Sequence, residues 1–345
     1  MYYIVYSQIM TQKDVQEIKG ILSEPKKIVI VHHKNADGDA IGSSMALNTY
    51  LNICGHKSNI ISPNKFPDFL KWLDNKNEIA IFNNSDHQIN LINNSDIIFT
   101  LDFNSLERCG DMKDLIDNSK AIKILIDHHE NPKEYADYLY SDTRISSTCE
   151  MIYHFIEKLG DNDKINSSIA EAIYTGIMTD TGSFKFSSTS SITHKVISDL
   201  LDKGADKTKI HNEIYDNNRI EKIKLLSFAL NKIEIITEYN TAFITLAQRD
   251  LNNFDFRKGD TEGIVNYGLS IKKIKFAAIF IEDKKENIIK ISFRSKGNFD
   301  VNKFSGDTFN GGGHKNASGA ISRDSLSSTI VNFKNALKKY KTELN

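Results

Sequence analysis

The chain has 345 residues, 40% of them hydrophobic and 26% charged, a composition that excludes a disordered chain and points to two domains or one large one. No apolar run approaches the roughly 18 residues of a membrane span and the first twelve residues hold no Lys or Arg, so neither a membrane segment nor a secretory leader is expected. The net charge of −1 excludes the extended basic surface that long duplex nucleic acid calls for, yet residues 256–345 carry 17 Lys and Arg against 9 Asp and Glu, leaving the first part acidic.

In chain order, residues 11–24 read as a short amphipathic helix that stops before Pro25. Ile28–Val31 is a continuous apolar run, the pattern of a strand buried on both faces of a parallel sheet, and it ends in His33, Asp37 and Asp39. Helical spacing follows, with Leu47, Leu51 and Cys54 on one face and Gly55 as C-cap. Strands are expected near 57–62 and 79–82, and the Asn-rich stretch 83–96 reads as turns around one weak element. Ile97–Leu101 is the next strand, ending in Asp102. A helical crossover then leads to the strand 122–126 and to Asp127-His128-His129. Helices are expected near 147–160 and 167–178, the second running into Asp180. Residues 189–231 look mainly helical. Strands near 233–238, 241–247, 275–282 and 287–294 follow, then Gly311-Gly312-Gly313-His314 and a final helix around 326–342. Cys54, Cys109 and Cys149 are far apart and lack CxxC spacing, as suits reduced thiols in a cytoplasm.

Alternating strands and helices predict an α/β fold, and open sheets of this kind bring the loops after their strands to one edge. Asp127-His128-His129 alone reads equally well as an acidic turn with two exposed histidines. Together with His33, Asp37, Asp39, Asp102 and Asp180 it reads as an acidic cleft that only cations would neutralise. Mixed His/Asp ligation suits Mn²⁺, Zn²⁺ or Fe²⁺ better than Mg²⁺ or Ca²⁺, and the donors suffice for two ions placed to clamp a phosphoryl group. Arg294-Ser295 and the glycine triplet form a second candidate site. Arg offers a fork for phosphate, and glycines let backbone amides approach an anion; a flexible turn is the bland reading of the triplet.

His33-x-Asn35-x-Asp37-x-Asp39 with Ala40-Ile41-Gly42, then Asp102, Asp127-His128-His129 and Asp180, resemble in order the four motifs of the DHH phosphoesterase superfamily. Phe293-Arg294-Ser295, Gly311-Gly312-Gly313-His314 and Ala317-Ser318-Gly319-Ala320 resemble its DHH-associated C-terminal domain, so the likeness covers nearly the whole chain. Ala36, where Pro is common, and Asn310, where a fourth Gly is common, depart from the pattern without removing a ligand.

The resemblance implies an N-terminal, doubly wound, mostly parallel sheet domain (1–200), a helical linker (201–232) and a smaller α/β substrate-binding domain (233–345). It implies two divalent ions, Mn²⁺ foremost, one held by His33, Asp37 and Asp102 and the other by Asp39, Asp102, His128 and Asp180. Asp127 would orient a ligand histidine and His129 would meet the scissile phosphate, while Arg294, Ser295, Gly311, Gly312, Gly313 and His314 would hold a terminal phosphate. The subgroup it resembles contains bacterial oligoribonucleases that also dephosphorylate 3′-phosphoadenosine 5′-phosphate, so short RNA or adenine nucleotides are the expected substrates and a homodimer the family expectation. A cyclic di-adenosine monophosphate or pApA phosphodiesterase, an inorganic pyrophosphatase or exopolyphosphatase, which a glycine-rich box suited to a nucleotide end disfavours, and a non-catalytic nucleotide sensor are the competing readings. The sensor would be expected to lack a ligand, and none is missing.

Overall fold

Alternation along the first strand sets the layers. Ile28 and Ile30 of β1 (Lys27–His32) point into one core with α1 (Gln12–Ile21), while Val29 and Val31 point into the opposite one. The computed structural model describes residues 10–345, so the opening of the expected N-terminal domain, residues 1–9, lies outside the described residues. The chain divides into two compact units, Met1–Asn217 and Asn218–Asn345.

In the first unit β1, β2 (Lys57–Ser62), β3 (Ile79–Ile81), β4 (Ile97–Leu101), β5 (Ile122–Asp127) and β6 (Tyr138–Ser141) form one parallel sheet in the order β3-β2-β1-β4-β5-β6. The order reverses between β1 and β4, which makes the gap beyond their C-terminal ends the place where such sheets bind ligands. Helix α2 (Gly38–Ile53) follows β1, and α3 (Asp86–Asn93) and α4 (Lys113–Asp117) serve as crossovers. Helices α5 (Thr148–Leu159), α6 (Ser167–Asp180), α7 (Ser191–Asp202) and α8 (Lys207–His211) complete the unit.

Two elements differ from expectation. The stretch 83–96 contains a true helix, α3, whose buried Gln88 bonds Asn83 N and Ile81 O, so a polar side chain does the anchoring that hydrophobic periodicity would have revealed. β6 is the other: it is a four-residue edge strand, only two of whose residues are fully buried, so it carries little of the continuous apolar signal that marks the central strands.

The second unit opens with α9 (Ile220–Asn231), so the expected linker 201–232 is shared between the units. Its sheet contains β7 (Glu234–Ile236), β8 (Thr241–Leu246), β9 (Phe276–Asp283), β10 (Ile288–Ser295), β11 (Gly312–His314) and β12 (Ala317–Ser322), ordered β11-β12-β10-β9-β8-β7. Only β8 and β9 pair in parallel. Helices α10 (Gln248–Asn252), α11 (Ile264–Ser270), α12 (Val301–Phe309) and α13 (Leu326–Leu337) flank it. Phe276, Phe280, Phe293, Phe304 and Phe333 fill one face. No helix among the described residues is long and apolar enough to cross a membrane.

Candidate metal centre

His33 leaves the end of β1 with its Nδ1 donating to the Lys34 carbonyl at 3.0 Å, which leaves Nε2 as the ligand atom. Asp37 caps α2, its Oδ1 accepting from the amides of Asp39 and Ala40 at 3.1 Å each. Asp39, in the first turn of α2, is 1% exposed. Asp102 follows β4 in the left-handed region, at φ 63°, with its amide bonded to the Ile126 carbonyl of β5 at 3.1 Å. Few residues other than Gly adopt that conformation, and Asp is among those that tolerate it. Asp180 is the last residue of α6.

What brings α6 close enough is the absence of side chains. A Cβ on Gly38 would collide with Thr179, and one on Gly42 would lie 2.6 Å from the Ala172 carbonyl. A Cβ on Gly176 would strike Cys149 Sγ and lie 2.7 Å from Asp39 Oδ1.

The donors form two groups that share a residue. His33 Nε2 lies 3.3 Å from Asp102 Oδ2 and 3.8 Å from Asp37 Oδ1. His128 Nε2 lies 3.6 Å from Asp102 Oδ1, 3.5 Å from Asp180 Oδ2 and 3.8 Å from Asp39 Oδ2. These separations are too long for good hydrogen bonds. They approach the spacing of atoms that share one ion, since two donors each about 2.1 Å from a metal lie roughly 3.0–3.4 Å apart in octahedral or tetrahedral geometry. Each oxygen of Asp102 therefore serves a different group.

Charge supports the same reading. Burial, and then the Asp102 and Asp180 carboxylates, push the Asp39 carboxyl well above its usual range. Against burial, the neighbouring His128 and His33 imidazoles hold Asp102 well below that range. His33, despite burial, is held up to about 10 by Asp102 and Asp37. Asp37, Asp39, Asp102 and Asp180 crowd around imidazoles that must be neutral to ligate, and divalent cations would supply the positive charge that such a cluster calls for.

Asp127 differs from its expected task. Its Oδ1 accepts from Nδ1 of His129 at 2.7 Å, so it orients His129 and not the ligand candidate His128. Its Oδ2 is buried without a hydrogen-bond partner among the described residues.

In the second unit, Arg294 lies on β10 with Nη1 donating to the Phe293 carbonyl at 2.9 Å. Ser295 is turned inward: its hydroxyl donates to the Phe299 carbonyl at 2.7 Å and accepts from Asn316 Nδ2 at 2.8 Å, so it has no proton left for a phosphate. The glycines are not a loose turn; Gly312 and Gly313 start the edge strand β11, followed by His314. A Cβ on Gly311 or Gly313 would run into the backbone of β12, whereas Gly312 is exposed with no close neighbour but Asn302. An edge strand turns half of its amides away from its partner, which keeps backbone donors available at this rim.

Sequence reasoning missed three contributors. The amides of Thr148 and Cys149, opening α5, donate to Asp39. Ser147-x-x-Glu150 does mark a helix start, but nothing local says which carboxylate meets it. Gly176 looks like an ordinary helical glycine until α2 is laid against it. Arg108, whose carbonyl takes the Lys34 amide at 2.7 Å, sits close enough for its charge to act on His129.

A parallel sheet whose switch point gathers a split Asp/His donor set, joined to a second unit with a glycine-rich edge strand, defines a two-domain hydrolase of phosphoester bonds. Residues 27–177 match the DHH family, N-terminal domain, and residues 239–344 match the DHHA1 domain. The chain belongs to the DHH family. It is 38% identical to an exopolyphosphatase-related protein from Bacteroides fragilis of known crystal structure, with a TM-score of 0.91 over 100% of this chain and 99% of that one. It is 29% identical to the bifunctional oligoribonuclease and PAP phosphatase NrnA of Bacillus subtilis, over 85% of this chain and 88% of that protein. A probable NrnA from Streptococcus mutans is 28% identical over 88% and 93%.

Proposed function

We propose that the chain hydrolyses short oligoribonucleotides to mononucleotides and removes a phosphate from 3′-phosphoadenosine 5′-phosphate with the help of two divalent cations, Mn²⁺ foremost. The observation that carries this is Asp102, with one carboxylate oxygen toward each of two donor groups. The names of the Bacillus and Streptococcus relatives support the choice of substrates.

His33, Asp37 and Asp102 would hold one ion, and Asp39, Asp102, His128 and Asp180 the other. When bound, such a pair supplies Lewis acidity to a phosphoryl oxygen and acidifies water near neutral pH. Asp127 takes the Nδ1 proton of His129, which leaves Nε2 as the nitrogen that would contact the scissile phosphate or the leaving oxygen. Arg108, whose charge acts on His129, would add positive potential for an incoming phosphate. In the second unit Arg294, the amides around Gly312 and His314 are the candidates for a terminal phosphate; Ser295 positions the turn at the end of β10.

The test is purified protein with Mn²⁺ offered two- to five-residue RNA, a 24-residue RNA, 3′-phosphoadenosine 5′-phosphate, pApA and cyclic di-adenosine monophosphate, with Asp102→Asn as the inactive control. Turnover of the short RNA and the bisphosphate, and little of the long RNA, is expected. Faster turnover of the cyclic dinucleotide or pApA would reassign the substrate, and no turnover of any would leave a sensor.

A further inference from the structure

Helix α5 starts with four backbone amides that no intrahelical carbonyl can satisfy. Ser147 takes one of them, its hydroxyl accepting from Glu150 N at 3.1 Å, while its carbonyl accepts the first regular helical bond, from Met151 N at 3.2 Å. Two more leave the helix: Thr148 N donates to Asp39 Oδ2 at 2.6 Å and Cys149 N to Asp39 Oδ1 at 2.8 Å. Asp39 thus caps a helix from outside, which holds its carboxylate in one plane.

The Thr148 hydroxyl has a separate target. It is fully buried and donates to Asp102 Oδ1 at 3.1 Å. Among the described residues this is the only neutral side chain that hydrogen-bonds this carboxylate. The final torsion of an aspartate is broad, so a fixed backbone does not by itself decide where the two oxygens point. With Oδ1 pinned by Thr148, Oδ2 is left 3.3 Å from His33 Nε2 while Oδ1 stays 3.6 Å from His128 Nε2. Rotation of the carboxylate would take an oxygen away from one group or both.

We propose that Thr148 is a positioning residue: its hydroxyl aims Asp102 at both donor groups while its amide anchors Asp39, so that one residue sets the spacing of the two halves of the centre. It rests on the metal reading given under Proposed function. The fold explains why a helix start does this work, because its amides and its first side chain diverge toward two different strand-end loops.

The test uses the full chain, stripped of metal. Thr148→Val keeps the branched shape and the amide and removes the hydroxyl; Thr148→Ala does so without the added methyl; Thr148→Ser keeps the hydroxyl. Thermal melting without metal and calorimetric titration with Mn²⁺ are read for each. Metal-free melting close to wild type is expected throughout, with Mn²⁺ affinity of at least one site falling about 10–100-fold in Val and Ala and recovering in Ser. Wild-type affinity in Val and Ala overturns the proposal, as does a Ser variant as weak as Val. Failure of both Val and Ala to fold also overturns it, since Thr148 would then serve the fold. Absence of Mn²⁺ binding by the wild type is a different result, which defeats the functional reading itself.

Discussion

Asp102 meets two demands that rarely coincide. Its backbone sits at φ 63°, where most side chains are strained, and its carboxylate stands between His33 and His128. Strain at such a residue persists only where surrounding structure fixes it, here through the Ile126 carbonyl on one side and Thr148 on the other. His129 shows a different division of labour, since its partner Asp127 belongs to the same strand end and hydrogen-bonds no other imidazole among the described residues. Asp127→Asn should therefore lower kcat by about 10–100-fold and leave Mn²⁺ affinity near wild type. A parallel loss of metal affinity would mean that Asp127 acts on a ligand after all.

At the scale of elements, the approach of α2 and α6 matters most, because it delivers Asp39 and Asp180 to the same imidazole. Gly176→Ala would place a methyl against Cys149 Sγ and 2.7 Å from Asp39 Oδ1. We expect a loss of about 1–3 kcal/mol in urea unfolding from overpacking, together with weaker Mn²⁺ binding as Asp39 is displaced. Gly20→Ala is the matching control: that position in α1 has nothing within 4 Å, so the change should stabilise by about 0.5–1 kcal/mol and leave metal binding alone. Equal destabilisation by both would show that helix contact is not what Gly176 provides.

For the whole molecule, acidity and basicity are distributed unevenly along the chain: residues 256–345 hold 17 Lys and Arg against 9 Asp and Glu. The acidic part carries the five clustered carboxylates, so cation binding should raise its stability by linkage. Mn²⁺ at a hundred times its Kd contributes about 2.7 kcal/mol per site, read as a rise in melting temperature that a chelator reverses. A melting temperature indifferent to both Mn²⁺ and chelator would count against any built metal site.

The sequence by itself determined the parallel sheet, the strand ends on which the histidines and aspartates sit, and the family, because continuous apolar runs and polar residues at their tips are local patterns. Ile28–Val31, Ile97–Leu101 and Ile122–Asp127 were legible for that reason. It did not determine α3, held by the buried amide of Gln88, or the strand character of Gly312–His314, which a partner strand imposes. Nor could it show that Asp127 serves His129, that Ser295 has spent its proton inside the turn, or that Thr148 reaches Asp102 from 46 residues away. The Thr148 bond and the helix approach join segments remote in sequence, and only the packing of α2, α5 and α6 over the sheet decided them. The Asp127 and Ser295 bonds are local, but they depend on the side-chain orientation that the folded surroundings impose.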